Sequence, residues 1–307
     1  MNPMRTPSAA QPAKQMPNPE PRAVSRWGQD RRLEFIDFRL RWDGRLNRSD
    51  LIGFFGISVP QASLDIARYT ELAPANLVYD RSARVYVSGS QFVPLYPGSS
   101  SSHYLNELLA SEVGLLTSET SFIGWRPPVG FVPSPGRAIR ADTLVPLLRA
   151  IREGGGVRAR YQSMSRPEPQ ERRLTPHAFV YDGFRWHVRA YCESRAEFRD
   201  FVIARMNDVQ LDEPSGPGSA GDTAWNTMTE LVLVPNPKLE LPHRRALEVD
   251  YGMVDGEARM QCREALVFYV LRHLGLHVDL SEHPESQQVV LKDKSQVVKY
   301  LAPSLLP

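Results

Sequence analysis

The spacing of apolar and polar positions changes period several times along the chain. From Asp30, which is placed to cap a helix, Leu33, Ile36 and Leu40 recur at helical spacing. A second short helix fits Ser49 to Phe55, with Ser49 as its cap and Gly56 as a left-handed exit. Ser58-Val59-Pro60-Gln61 matches a capping box: the Ser58 hydroxyl would accept a backbone N–H, Gln61 would reach back, and Pro60 suits a first turn. In the helix it opens, Ala62, Ile66, Tyr69 and Ala73 share one face, which leaves Gln61, Leu64, Asp65 and Arg68 on another. Two helices joined by Gly56-Ile57-Ser58 make a helix-turn-helix. The β-rich runs from Asn76 to Tyr79 and from Arg84 to Val87, around a polar turn, read as its wing.

A Pro- and Ser-rich linker, residues 91–102, leads to a helix near His103 to Val113. A second Pro-rich crossing, 126–136, leads to a helix from Asp142 to Glu153 that ends at Gly154-Gly155-Gly156. From Val157 the period shortens to two. Runs at Val157–Ser163, Thr175–His177, Phe179–Tyr181, Phe184–Tyr191 and Phe201–Arg205 alternate Arg, His, Ser and Tyr with apolar partners. Asp182-Gly183 predicts a tight hairpin between two of them, so a small, strongly bent antiparallel sheet or barrel is expected. After the linker 213–221 come a strand at 230–234 and a helix from Lys238 to Leu247. Asp255-Gly256 then predicts a hairpin between 249–254 and 258–261, followed by an apolar helix from Ala265 to Leu276 and a strand from Gln287 to Leu291.

The stretch 157–206, and within it Arg185-Trp186-His187-Val188-Arg189-Ala190-Tyr191-Cys192, resembles the WYL domain. That family is a small SH3-like or Sm-like barrel used as a sensing module in bacterial transcriptional regulators. Its Trp-Tyr-Leu signature stands here as Trp186-His187-Val188. The branch resembled is the BrxR/CapW type, which controls anti-phage defence operons. The resemblance covers nearly the whole chain and implies a multidomain α+β protein. Its expected parts are a disordered tail at 1–26, a winged helix-turn-helix DNA-binding domain at 27–95 and a linker with a helix at 96–136. A WYL ligand-sensing barrel at 137–212, a linker at 213–222 and a small α+β extension at 223–307 that contributes to dimerisation complete it.

Composition alters this picture at a few points. Charged residues at 23% and hydrophobic ones at 42% of 307 residues suit a soluble multidomain protein. A net charge of only +2 means that nucleic-acid binding must come from local patches. One such excess is Arg22, Arg26, Arg31, Arg32, Arg39, Arg41, Arg45 and Arg48 against Asp30, Glu34, Asp37 and Asp43. The six prolines of residues 1–26, without a periodic apolar face, predict the disordered tail. Cys192 and Cys262 suggest neither a disulfide framework nor a zinc site. With no bilayer-length apolar run and no signal-peptide core, a cytoplasmic protein without a membrane partner is expected. His273 and His277 have metal-ligand spacing without the Glu of the zincin pattern, and there is no phosphate loop, dinucleotide turn or nucleophile elbow. No catalytic residue, metal or cofactor is assigned, and the chain is read as a non-enzyme.

Helix-turn-helix geometry points the start of the third helix at the major groove. This makes Ser58, Gln61 and Ser63 base-edge candidates, with Leu64 fitted either to a thymine methyl or to the core. Arg68, Arg81 and Arg84 are the phosphate or minor-groove candidates. The resemblance implies a ligand pocket, and Tyr161, Ser163, His177, Arg189 and Arg205 are the side chains suited to one: guanidinium groups for phosphate, hydroxyls for orientation and an aromatic face for a base. Trp186 is expected to fill the barrel core, and Arg199 could serve the pocket or the surface. The expected partners are a double-stranded operator, a second copy in a homodimer on an inverted repeat, and a nucleotide or nucleic-acid-fragment effector. Two rival readings are an accessory protein that binds single strands and a nucleotide-processing enzyme.

Overall fold

In the computed structural model, which describes residues 21–96, 100–117 and 120–300, α1 runs Pro21–Trp42. Asp30 therefore lies inside α1 and is not its cap. Of the expected tail, residues 1–20 lie outside the described residues and 21–26 belong to this helix. The chain divides into two compact units between Pro133 and Ser134.

In the first unit α1 is followed by β1 (Arg45–Leu46), α2 (Arg48–Phe55), α3 (Val59–Leu72), β2 (Leu77–Asp80), β3 (Val85–Ser88) and α4 (Ser101–Glu112). Asn47, two residues before the expected Ser49, stands at the start of α2: its backbone N–H donates to the Asp50 carboxylate at 2.7 Å. Gly56 takes the predicted left-handed exit, with φ +63°. Ser58 does cap α3, accepting from the Gln61 N–H at 3.3 Å. The Gln61 side chain departs from the capping box: its Nε2 donates to the Asp65 carboxylate at 3.1 Å. The wing hairpin β2–β3 is joined by β1 in a three-stranded sheet of order β1-β3-β2.

The core of this unit is aromatic. Phe35, Phe38 and Trp42 of α1 meet Phe54 and Phe55 of α2, Tyr104 of α4 and Phe122. Phe122 and Ile123 are buried, so residues expected to be linker contribute to this core. A buried carboxylate pins the chain after the wing. Asp37 accepts from the Tyr69 hydroxyl at 2.6 Å and from the N–H groups of Leu95 and Tyr96 at 2.9 and 3.2 Å. Asn76 donates to the Tyr69 hydroxyl at 3.0 Å and exchanges hydrogen bonds with the Val93 backbone.

The second unit opens with α5 (Ala141–Glu153), which packs on a five-stranded antiparallel sheet. Its strands are β4 (Gly156–Tyr161), β5 (Gln170–Tyr181), β6 (Trp186–Cys192), β7 (Glu197–Val202) and β8 (Met206–Asp212), in the order β7-β6-β5-β4-β8. A closed barrel is not found, because no ladder among the described residues pairs β7 with β8. One 3-10 turn, Ile203–Arg205, carries the chain from one edge of the sheet to the other, so curvature brings the edges near without backbone pairing. Tyr161 spans that gap: its hydroxyl accepts from the Val202 N–H at 3.3 Å. The expected Thr175–His177 and Phe179–Tyr181 runs form one strand with a bulge between Pro176 and Ala178.

The Asp182-Gly183 hairpin is wider than predicted. Tyr181 pairs with Trp186, leaving a four-residue turn in which the Asp182 carboxylate accepts from the N–H groups of Phe184 and Arg185. Beyond β8 come α6 (Thr223–Asn226), β9 (Met228–Pro235), α7 (Leu241–Asp250), β10 (Ala258–Arg263), α8 (Val267–His273) and β11 (Val289–Leu291). Helix α7 occupies part of the run predicted as strand at 249–254. Asp255 and Gly256 nonetheless form the predicted turn, both with positive φ. His277 lies past the end of α8, so His273 and His277 do not share a helix.

The Asp37 site gives a direct stability expectation. Asp37→Ala leaves two backbone donors and a buried hydroxyl unpaired and should cost about 3 kcal/mol, whereas Tyr69→Phe should cost about 1 kcal/mol. Urea unfolding followed by circular dichroism checks both, and equal losses would remove the central role of Asp37.

Candidate nucleic-acid interface and effector cleft

In the first unit, α3 buries Ala62, Asp65, Ile66 and Tyr69 and turns Ser58, Val59, Pro60, Leu64 and Arg68 to solvent. Asp65, expected on the open face, is buried because α1 supplies its partner. Arg32 grips its carboxylate at two points, Nε at 2.6 Å and Nη2 at 3.2 Å. Gln61 is tied to the same carboxylate and is half-buried. Ser63 donates back to the Val59 carbonyl at 2.9 Å. Leu64 is 63% exposed, which settles its alternative in favour of an outward position.

Arg68 pairs with Glu71 at 3.0 Å on the surface, a contact worth little that a phosphate could replace. Arg81 and Arg84 are exposed at the wing tip, where Asp80 accepts from the N–H groups of Ser82 and Ala83. Arg84 holds a φ of +53°, an unusual conformation for a side chain of its size, and this fixes the direction in which it leaves the turn. Much of the arginine excess of α1 is spent internally. Arg32 binds Asp65, Arg39 binds Asp43 at 2.5 Å, and the guanidinium groups of Arg31 and Arg41 lie over Phe122 and Trp42. Arg45 and Arg48 remain exposed.

In the second unit the five expected pocket residues do not converge. Tyr161 and Ser163 line a cleft of about 100 Å³ together with Ser165, Arg166, Arg172, Arg195 and Arg199. Arg189 and His177 lie instead in a buried network. Arg189 grips Asp222 with Nε at 2.6 Å and Nη2 at 3.0 Å, and reaches Asp200 with Nη1 at 3.1 Å. The His177 Nε2 is 3.0 Å from the Asp222 carboxylate, which also accepts from the Trp225 N–H. Burial pushes Asp222 up, but the Arg189 guanidinium outweighs it and holds the carboxyl below its usual range. Arg205 sits on the 3-10 turn, half-buried, and is not among the residues lining the cleft. Trp186 does not fill the core: it shares a face of β6 with the buried Val188 and Ala190 but stands at the strand's first position, 48% exposed, while His187 is buried on the opposite face.

The cleft is basic and partly preformed. Arg172 is steadied by Ser194 at 3.0 Å and Gln170 at 2.9 Å, and Arg166 reaches the same Gln170 oxygen at 2.5 Å. Arg199 has one weak partner, Glu197, at 3.5 Å. Asp200, at the cleft wall, is occupied by Arg189 and by the Tyr269 hydroxyl at 3.0 Å. Sequence reasoning missed Arg166, Arg172 and Arg195 because Arg166 and Arg195 stand on turns and Arg172 at the start of β5, outside the runs of strongest alternation. It also missed Asp222, whose helix-capping position before Thr223-Ala224-Trp225 was its one legible signal. Among the described residues no group of His, Cys, Asp and Glu is placed to hold a metal ion, and no helix is long and apolar enough to cross a membrane.

Three family models match the chain in order. The BrxR transcriptional regulator winged helix-turn-helix domain matches residues 28–110, the WYL domain 142–211 and the BrxR transcriptional regulator C-terminal dimerization domain 228–297. The chain is 49% identical over 281 residues to the DNA-binding transcriptional repressor CapW of Escherichia coli strain KTE188, covering 91% of this chain and 94% of that protein. This chain belongs to the BrxR/CapW family of WYL-domain regulators. Other CapW repressors are 47% identical in Stenotrophomonas maltophilia and 46% in Pseudomonas aeruginosa. These alignments cover 90% and 94% of this chain, and 93% and 97% of those proteins. The CapW relatives are named as repressors and not as enzymes. The structure adds to the family assignment a separation within the WYL domain: Arg189 and His177 tie down the segment leading to the C-terminal domain, while the cleft holds the freer arginines.

The hairpin turn beside that network carries a pH signature. Burial alone would raise Asp182, but the Phe184 N–H, the His187 ring and the Arg185 N–H hold it at about 2, below its ordinary 3.8. Burial keeps His187 below its ordinary 6.5 in spite of Asp182. Both shifts remove stability as pH falls: His187 because below 6.5 the unfolded chain binds a proton that the folded one refuses, Asp182 between 3.8 and about 2. Urea midpoints measured against pH should fall in both ranges, and Asp182→Asn should make the acid limb shallower. An unchanged limb would mean that other carboxylates set it.

Proposed function

We propose that the chain is a sequence-specific DNA-binding transcriptional repressor that acts as a homodimer on an inverted repeat, with an effector sensed in the WYL cleft. The observation that carries the reading is the solvent face of α3, Ser58 to Arg68, beside a wing tip bearing Arg81 and Arg84. A recognition helix reads base edges from its N-terminal half while wing and helix cations hold phosphates. Leu64 suits a thymine methyl and the Ser58 hydroxyl is permissive. Gln61 would pair with adenine by turning from Asp65, which keeps its bidentate Arg32 partner and so is not left bare. One such module binds weakly, and the domain matched as a dimerization domain in relatives supports two-fold pairing. The resemblance to the BrxR/CapW branch supports an anti-phage defence operon as the regulated genes.

The cleft lined by Ser163, Arg166, Arg172 and Arg199 suits an anionic effector such as a nucleotide or nucleic-acid fragment, because guanidinium groups bind phosphate through paired hydrogen bonds. An effector acts only if it prefers one of two dimer arrangements, since equal affinity for both shifts nothing.

Binding of the purified chain to the duplex upstream of its own gene, against a scrambled duplex over a salt series, tests the operator reading. The upstream duplex should be preferred as salt rises, with two protomers bound per site. Gln61→Ala should relax base choice, while Arg84→Ala should weaken all duplexes alike and lower the salt slope by about 1. Equal binding to both duplexes that vanishes with salt would sink the operator reading. The sensing reading predicts that Arg199→Ala with Arg166→Ala leaves operator affinity intact but keeps a reporter gene repressed during phage infection. Normal derepression in that variant would place the effector elsewhere.

A further inference from the structure

Gln61 stands where the solvent face of α3 meets α1. It recurs with Leu64 and Arg68 at helical spacing, so it belongs to the outward stripe, yet it is half-buried because its amide nitrogen is engaged inside. That Nε2 donates to Oδ1 of Asp65, one helical turn on, at 3.1 Å. Asp65 is fully buried, and α1 holds both of its oxygens: Arg32 gives Nε to Oδ2 at 2.6 Å and Nη2 to Oδ1 at 3.2 Å. Oδ1 therefore serves two donors, the Gln61 amide and the Arg32 guanidinium. The Arg32 side chain is only 16% exposed, so solvent ions screen this pair little.

The arrangement sets two partners in competition for one amide. A Gln paired with adenine at two points favours that base by about tenfold to a hundredfold. A hydrogen bond to a carboxylate is worth about as much. A wrong base costs Gln61 little, because the amide stays on Asp65 and is not left unpaired. Base choice at this position is therefore the difference between the two interactions, and an Asp65 with no other partner would cancel most of it. Arg32 changes that balance. Its two-point grip gives the carboxylate an opposite charge and puts a second donor on the very oxygen that Gln61 uses, so the amide leaves at small cost.

We propose that Arg32 is a positioning residue for base choice: through Asp65 it loosens the internal hold on Gln61, so that the amide leaves for adenine and for no other base. The inference rests on the operator reading, in which Gln61 meets a base edge. A purely structural pair would tie α1 to α3 without touching base choice. A phosphate contact by Arg32 would weaken all duplexes alike, and a guanidinium already committed to both Asp65 oxygens has little left for a phosphate.

The test measures binding of the full chain to the duplex upstream of its gene and to duplexes altered one base pair at a time, over a salt series. Gln61→Ala locates the position that Gln61 reads, as the base pair whose preference disappears. Arg32→Gln should lower the preference at that same base pair about tenfold and leave the other positions and the salt slope as they are. Arg32→Gln combined with Asp65→Asn, which removes the bare carboxylate, should restore the preference to within about threefold of the unaltered chain. Arg32→Lys, which keeps the charge on a single point, should fall between the unaltered chain and Arg32→Gln. Affinities are compared per folded molecule, with the folded fraction read by circular dichroism, so that lost stability is not counted as lost recognition. Weakening at every base pair alike, with a salt slope lower by about 1, would make Arg32 a phosphate contact and overturn the proposal. So would an unchanged preference in Arg32→Gln, or a double variant no better than Arg32→Gln. If Gln61→Ala alters no base preference while the upstream duplex is still favoured, the proposal fails and the operator reading stands. Equal binding of upstream and scrambled duplexes by the unaltered chain would instead remove the operator reading itself.

Discussion

One buried guanidinium orders the second unit. Arg189 leaves β6 in the middle of the sheet and is neutralised by Asp222, from the segment after β8, and by Asp200, from β7. Asp200 in turn accepts from Tyr269 of α8, and Asp222 caps α6 and meets His177 of β5. A buried charge of this kind is tolerated only while its partners stay, since removing one costs roughly 3–5 kcal/mol. The sheet, the crossing segment and the C-terminal helix are therefore held in one arrangement by a network that apolar packing alone would not specify.

The same economy of charge separates structure from recognition in both units. In the first, Arg32 and Arg39 are matched by Asp65 and Asp43, while Arg81 and Arg84 at the wing tip are left to solvent. In the second, Arg189 is saturated while Arg195 and Arg199 have little or no intramolecular opposition. An arginine already gripped at two points has little to offer a phosphate, and one in water has much. The buried pairs thus act as rigid mounts for the surfaces whose cations remain available.

The exposed rings at the β5–β6 turn follow from where the two strands end. Val188, Ala190 and Cys192, on the same face of β6 as Trp186, are buried in the core, but Trp186 stands at the first position of the strand, beside the turn, and is left exposed. Asp182 then stabilises the turn with its own carboxylate, and Phe184 is carried to the tip. An aromatic surface is thereby left at the end of the sheet where β5 and β6 meet.

Much of this was legible in the sequence because local signals are dominated by nearest neighbours. Ser58 and Pro60 fixed the start of α3, Gly56 its preceding turn, Asp255-Gly256 a hairpin, and the WYL-like run of residues 185–192 the family. Local patterning also placed Ser58 and Leu64 on a helix that faces outward. What it could not supply was the identity of long-range partners. Asp65 looked solvent-exposed until Arg32, 33 residues away, neutralised it. Arg189 and His177 had the chemistry of ligand residues until Asp222 claimed both, and Trp186 had the character of a core residue until its place at the end of β6 left it exposed. Composition and spacing determine which side chains a segment presents. Only the tertiary structure decides which of their charges are already satisfied, because that depends on groups brought close by folding and not by sequence.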